Sequence, residues 1–196
     1  MFKMKFFAAI AVTMFLLSIN IMAKEPGDKA EDFTMTASDG NSYNLSTELS
    51  SGKTVVVIFW STKCPFVQAY NERAAEIYNQ YHDKSVTIWP VNSNSTENME
   101  EIMAHASKNG YAFPVLKDTD NKIADMFGAL RTPEVFVIGK ENVILYHGRI
   151  DDSKDAAEVT SHDLKNALNE ILAGKEVSVK TTKSFGCTIK KAGQDN

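Results

Sequence analysis

Two cysteines, Cys64 and Cys187, are the residues of this chain best suited to covalent chemistry. Cys64 follows the polar break Ser61-Thr62-Lys63 and precedes Pro65. A proline fits the first position of a helix, where its missing N–H would have had no partner. From Val67 onward, Tyr70, Ala74, Ile77, Tyr78 and Tyr81 recur at helical spacing, which predicts a helix to about Tyr81. The thiol is thereby placed at a helix N-terminus, where unpaired N–H groups and the helix dipole favour an anion. A thiolate there is a nucleophile toward a peroxide oxygen or a disulfide sulfur. The opposing reading is a cysteine that merely fills core space, as lone cysteines commonly do. For Cys187 three roles stand open: a thiol that resolves an oxidised Cys64, a structural bridge to it, or a free thiol in a mobile tail.

The elements that must hold Cys64 are legible on both sides of it. Thr54 to Trp60 is an unbroken run of β-formers, a strand buried on both faces. Ser85 to Val91 predicts a second core strand, and Met99, Ile102, Met103 and Ala106 a second helix ended by Asn109-Gly110. Strand, helix, strand, helix implies a parallel βαβ unit. Further on come a short extended piece at Phe113–Leu116 and a short helix at Ile123–Phe127 closed by Gly128. A hairpin joins Val135–Ile138 to Val143–Tyr146. Gly148 to Glu158 reads as a polar surface loop with Asp151-Asp152 as a solvated turn. Leu164 to Leu172 carries the last amphipathic stripe, stopped by Gly174, and residues 175–196 form a C-terminal extension of weak periodicity. Ahead of the central strand, Lys24–Ala30 reads as a flexible lead-in and Asp32–Thr36 as a short strand.

At the front, Lys3 and Lys5 precede an apolar run from Phe6 to Leu17, and a small residue, Ala23, precedes polar Lys24. Basic end, short apolar run and small residue predict a signal peptide over residues 1–23, cleaved after Ala23. The run is short for a membrane span and is broken by Ser18 and Asn20. The expected product is periplasmic or secreted, with no stable membrane association after cleavage. A formal charge of −4 with no basic cluster gives no reason to expect nucleic acid or anionic lipid as a partner. The four histidines are scattered without ligand spacing, so solvated or capping roles are expected and no metal site. Export also places the two cysteines where a disulfide persists.

Several stretches together resemble one family. Asp32-Phe33, Asp39-Gly40, Phe59 through Pro65, Val91-Asn92-Ser93-Asn94, Phe113 through Asp118, Thr132-Pro133-Glu134, Tyr146 through Asp152 and Gly186 through Lys190 stand in the order of a peroxiredoxin-like redoxin. That group lies in the alkyl hydroperoxide reductase/thiol-specific antioxidant branch of the thioredoxin superfamily. The resemblance implies an α/β, thioredoxin-like fold over residues 24–196, with a central mixed sheet flanked by helices. It implies an exported thiol oxidoreductase, reducing peroxide or exchanging disulfides through Cys64, with no organic cofactor and an unidentified thiol reductant as partner. In thioredoxins a Cys-x-x-Cys follows the tryptophan; here Trp60 is followed by Ser61 at the first cysteine position and Cys64 at the second. A peroxiredoxin places Thr or Ser three residues before its reactive cysteine, as Ser61 stands to Cys64, but Val57 occupies the position of its proline. The implied roles are Ser61 hydrogen-bonding the sulfur and Cys187 resolving; Arg131 has two readings, a group that holds negative charge on a thiolate or peroxide oxygen, or a solvated arginine. Pro133 matches the superfamily's cis-proline and, with Thr132, shapes the substrate's approach. Trp60 has two readings, a wall against water beside the thiol or a filler of the core. The different-class alternative is a redox-inert binding module on the same fold.

Overall fold

The computed structural model describes residues 22–193, so most of the expected signal peptide lies outside the described residues. Among the described residues, no helix is long and apolar enough to cross a membrane.

The sheet is built outward from β3 (Thr54–Trp60). It pairs in parallel with β4 (Val86–Asn92), from Thr54 opposite Val86 to Trp60 opposite Asn92. On its other side it pairs antiparallel with β7 (Glu134–Ile138), which continues through a hairpin into β8 (Ile144–Gly148). Beyond β4 lie β5 (Leu116–Lys117), β1 (Thr34–Ala37) and β2 (Ser42–Asn44), giving the order β2-β1-β5-β4-β3-β7-β8. A proline inside β4 is unusual for a central strand. Asn92 O accepts from Asp118 N–H on the β5 side, and Pro90, two residues back, faces that same edge before β5 begins. Its missing N–H therefore breaks no ladder.

Successive β3 residues feed opposite cores because strand side chains alternate. Val56, Ile58 and Trp60 pack with the stripe Val67, Tyr70, Ala74, Ile77 and Tyr81 of α2 (Pro65–Tyr81), and with Leu164 and Leu168 of α5 (Asp163–Leu172). Val55, Val57 and Phe59 pack with Phe33, Trp89 and Phe136, under α1 (Leu45–Ser50) and α4 (Lys122–Phe127). Between β4 and β5, α3 (Met99–Lys108) buries Ile102 and starts at Asn98 with a reciprocal capping box to Glu101. Two-residue strands β6 (Arg131–Thr132) and β9 (Cys187–Thr188) make a separate small ladder. This is the expected thioredoxin-like α/β arrangement.

Four local expectations are corrected. The lead-in is fastened rather than flexible: Lys24 N–H donates to Phe127 O, Gly27 N–H to Ile144 O and Ala30 N–H to Asn142 O, and Ala30 is buried. Asp151 is no solvated turn. It is 2% exposed, accepting from the Tyr70 hydroxyl at 2.6 Å and from Arg73 at 2.5 Å, because the loop after β8 folds onto α2. His147 is neither solvated nor a cap, but lies buried with its ring stacked on Phe136, centroids 4.3 Å apart. The 175–193 segment is a strap anchored along its length, since Val177 and Ile189 each find a core.

Candidate redox site

β3 delivers the chain to the site and α2 receives it, with Cys64 as the capping residue of α2 in extended backbone (φ −81°, ψ 120°) and Pro65 in the first turn. The loop between them is pinned by a carboxylate. Glu97 Oε1 accepts from Ser61 Oγ at 2.6 Å and from Asn94 Nδ2 at 2.8 Å. Its Oε2 accepts from Thr62 N–H at 2.7 Å, Thr62 Oγ1 at 2.6 Å and Asn92 Nδ2 at 2.7 Å. Burial alone would push the Glu97 carboxyl up, but the donors from Ser61, Thr62 and Asn92 outweigh it and hold it below the ordinary range. Glu97 is therefore an anion at neutral pH although it is only 2% exposed.

Opposite the loop stands the Thr132–Pro133 peptide bond, which is cis. The Thr132 carbonyl oxygen lies 3.3 Å from Cys64 Sγ. A disulfide sulfur has no proton, so this is a contact here; in the reduced protein the same geometry lets the thiol donate to that oxygen. Behind the bend, Glu134 Oε2 accepts from Leu130 N–H and Arg131 N–H, both at 2.9 Å, and Oε1 meets His147 Nε2 at 2.9 Å. Burial pushes the His147 imidazole toward neutrality, but the hydrogen bond and charge of Glu134, with Glu25, push it further the other way, for a net rise.

Cys187 closes the site. β9 pairs antiparallel with β6, setting Thr132 opposite Cys187 and Arg131 opposite Thr188. Cys64 and Cys187 are joined in a disulfide, with Cα atoms 5.9 Å apart. That separation lies at the centre of the range for such bridges. Cys64 is 2% exposed, a member of the core cluster on the α2 side of the sheet, and Cys187 packs against that cluster. Cys187 itself is only half-buried. Gly186 permits the close approach: with φ of +148°, a conformation L side chains rarely adopt, it lies so near the Thr132 carbonyl that an added Cβ would collide with it.

The residues singled out from sequence are thus partly gathered. Cys64, Cys187, Thr132 and Pro133 converge. The Ser61 hydroxyl, expected on the sulfur, is bonded to Glu97 instead. Arg131, expected at a sulfur or peroxide oxygen, is exposed and donates to Gly186 O at 3.3 Å, on the strap. Trp60 sits in the core at 1% exposure, edge-on to Tyr111. Lys63 points outward to Thr96 O and Glu101, both at 2.8 Å. Missed from sequence were Glu97, Glu134 and His147. The first had a visible signal in Asn92, Asn94 and Glu97 crowded just past a core strand, where polar side chains need partners. The other two lay in stretches that carry the family resemblance, Thr132-Pro133-Glu134 and Tyr146 through Asp152, but nothing in them showed that the two side chains meet, which the β7–β8 hairpin decides.

Among the described residues no cluster of three or more His, Cys, Asp or Glu side chains has the geometry to hold a metal. A cavity of about 750 Å³ lies apart from the redox residues, lined by Thr54, Lys84, Ile144, Leu172 and their neighbours.

Comparison with known proteins agrees with this geometry. The profile of the AhpC/TSA family matches residues 26–147. A thiol-disulfide oxidoreductase, ResA, of Halalkalibacterium halodurans is 28% identical over 119 residues, which cover 61% of this chain and 65% of that protein. A hypothetical protein of Sinorhizobium meliloti has a crystal structure that superposes with a TM-score of 0.80 at 32% identity, covering 88% of this chain and 98% of its own. An uncharacterized conserved protein of Geobacillus kaustophilus superposes at 0.79 with 29% identity, covering 87% and 94%.

Proposed function

Because this chain belongs to the AhpC/TSA family, we propose that it is a thiol–disulfide oxidoreductase whose working pair is Cys64 and Cys187. The observation that carries this reading is that a two-residue ladder brings Cys187, 123 positions away in sequence, onto the one cysteine at a helix N-terminus. In the reduced protein the dipole of the 17-residue α2 favours a Cys64 thiolate. That thiolate attacks a substrate disulfide R–S–S–R, forming a Cys64–S–S–R bond and expelling R–S⁻. Cys187 as thiolate then attacks Cys64 Sγ, closing the intramolecular bond and expelling the second R–S⁻. The chain has lost two electrons and the substrate has gained them. A thiol reductant reverses the exchange, and the cycle uses neither organic cofactor nor metal.

Disulfide exchange fits better than peroxide reduction. The two side chains expected to support peroxide chemistry, Ser61 on the sulfur and Arg131 at a sulfur or peroxide oxygen, are turned to Glu97 and to the strap. The placement of the pair at a helix N-terminus favours exchange over the redox-inert alternative, in which the same pair would be a structural bridge. The same pair suits an oxidising compartment, so we read residues 1–23 as an export signal and residues 24–196 as one periplasmic or secreted unit.

The test is mass mapping of the reduced protein after a small disulfide is added. The native chain should end as the Cys64–Cys187 bridge, and Cys187→Ser should stop at a mixed disulfide on Cys64. Alkylation of Cys64 at neutral pH no faster than a free model thiol would refute the proposal.

A further inference from the structure

The segment carrying Cys187 is fastened on both sides of it by contacts that do not involve sulfur. Before it, His147 N–H donates to Lys180 O at 2.9 Å and Thr182 N–H to His147 O at 3.0 Å. Thr182 Oγ1 accepts from Arg149 N–H at 3.0 Å and meets the Tyr146 hydroxyl at 2.8 Å. After it, Ile189 N–H donates to Leu130 O at 3.0 Å, Lys190 N–H to Asn94 Oδ1 at 2.6 Å and Ala192 N–H to Asn121 Oδ1 at 2.8 Å. Val177 is buried in the α2 core and Ile189 in the core on the opposite face of β3. Opening one S–S bond leaves every one of these contacts available. The strap also lies wholly outside residues 26–147, the stretch that the family profile matches.

We propose, resting on the exchange reading above, that this strap is a specificity element: it occupies the backbone edge at Arg131–Thr132 and so restricts Cys64 to low-molecular-weight disulfides and thiols, excluding disulfides carried on folded proteins. The strap itself displays how an extended cysteine-bearing segment reaches Cys64, by pairing antiparallel with Arg131–Thr132. A protein segment presenting its disulfide needs that same edge, because main-chain pairing is what holds an added strand in register. The edge is taken by β9, and Gly186 lies so near the Thr132 carbonyl that even an added Cβ would collide with it. A small disulfide has no backbone to pair. It needs only a path along the sulfur–sulfur axis, which rotation of the half-buried Cys187 side chain opens. Chemistry and electron balance are those of the exchange above, with R a small organic group.

The experiment uses the reduced, signal-free chain and two oxidants, hydroxyethyl disulfide and insulin, with Cys64–Cys187 formation followed by mass. A variant ending at Thr188 keeps both cysteines and loses the distal fastening. Expected is rapid oxidation of the native chain by hydroxyethyl disulfide and slow oxidation by insulin. In the shortened chain the insulin rate should rise about tenfold or more, since the open edge is otherwise a minor state. Its hydroxyethyl disulfide rate should stay within about threefold of native, since that path does not wait on the edge. Independently of any variant, the amides of Thr182 and Ile189 should stay protected from hydrogen exchange after reduction of the native protein. Insulin reacting with the native chain as fast as hydroxyethyl disulfide, no gain on shortening, or loss of that protection would each overturn the strap's role. Failure of both oxidants would instead overturn the exchange reading on which it rests.

Discussion

Replacing Glu97 by Gln probes the hinge on which the cysteine loop is mounted. The carboxylate accepts five hydrogen bonds, two on Oε1 and three on Oε2. An amide turns one end into a donor. At the Oε1 end the Ser61 hydroxyl can reverse, but Asn94 cannot turn its own amide without losing the acceptor it offers Lys190 N–H. At the Oε2 end the Thr62 N–H cannot reverse at all. One buried donor is thus left facing another, and the remaining bonds lose their charge assistance. Hydrogen bonds to a charged group are worth about 1.5–3 kcal/mol each, so a net loss of about 3 kcal/mol is expected. With a urea dependence of about 2 kcal/mol per molar, the unfolding midpoint should fall by about 1.5 M. Urea unfolding of the oxidised proteins measures it. The pH dependence supplies a second arm. The folded Glu97 carboxyl is held below its ordinary 4.5, so its stabilisation is present above that value and is lost as pH falls through the folded one. The gap between native and Glu97→Gln must therefore narrow with acid. A midpoint shift under about 0.3 M, or a gap that widens below pH 4.5, would refute the placement of charge at this residue.

Two other predictions concern groups that hold the site from behind. His147 has its folded pKa raised, so its pairing with Glu134 stabilises fully below the ordinary 6.5 and is lost as pH rises through the folded value. Urea midpoints at pH 6 and pH 9 should accordingly converge for native and His147→Gln, and a gap constant across that range contradicts the ion pair. Asp151→Asn leaves the Arg73 guanidinium, 12% exposed, without its counter-charge. Breaking such a pair should cost about 3 kcal/mol, which lowers the melting temperature by about 10 °C in a chain of this size. Scanning calorimetry on the oxidised proteins decides it, and a drop below about 3 °C would mean that Asp151 is no buried anchor.

How far the chain could be read follows the range of the forces involved. Thr54–Trp60 and the Val67-to-Tyr81 stripe were legible because alternation and helical spacing are written in neighbouring residues. The helix-end position of Cys64 followed from Pro65, and the cis bond before Pro133 from resemblance. The reading failed wherever a residue's partner comes from another element. Asp151 looks like a solvated acid until α2 brings Arg73 and Tyr70 to it, and the lead-in looks loose until β8 and α4 take its amides. Ser61 stood three positions from Cys64, as the peroxiredoxin pattern asks, yet it serves Glu97 because a buried carboxylate out-competes a sulfur for a hydroxyl proton. The sequence alone determined that one thiol sits where a core strand meets a helix, since that depends on local periodicity and one proline. Only the tertiary structure decided that Cys187 meets it. Nothing local specifies a pairing across 123 positions, and it exists because Val177 and Ile189 each find a buried place and draw the strap between them.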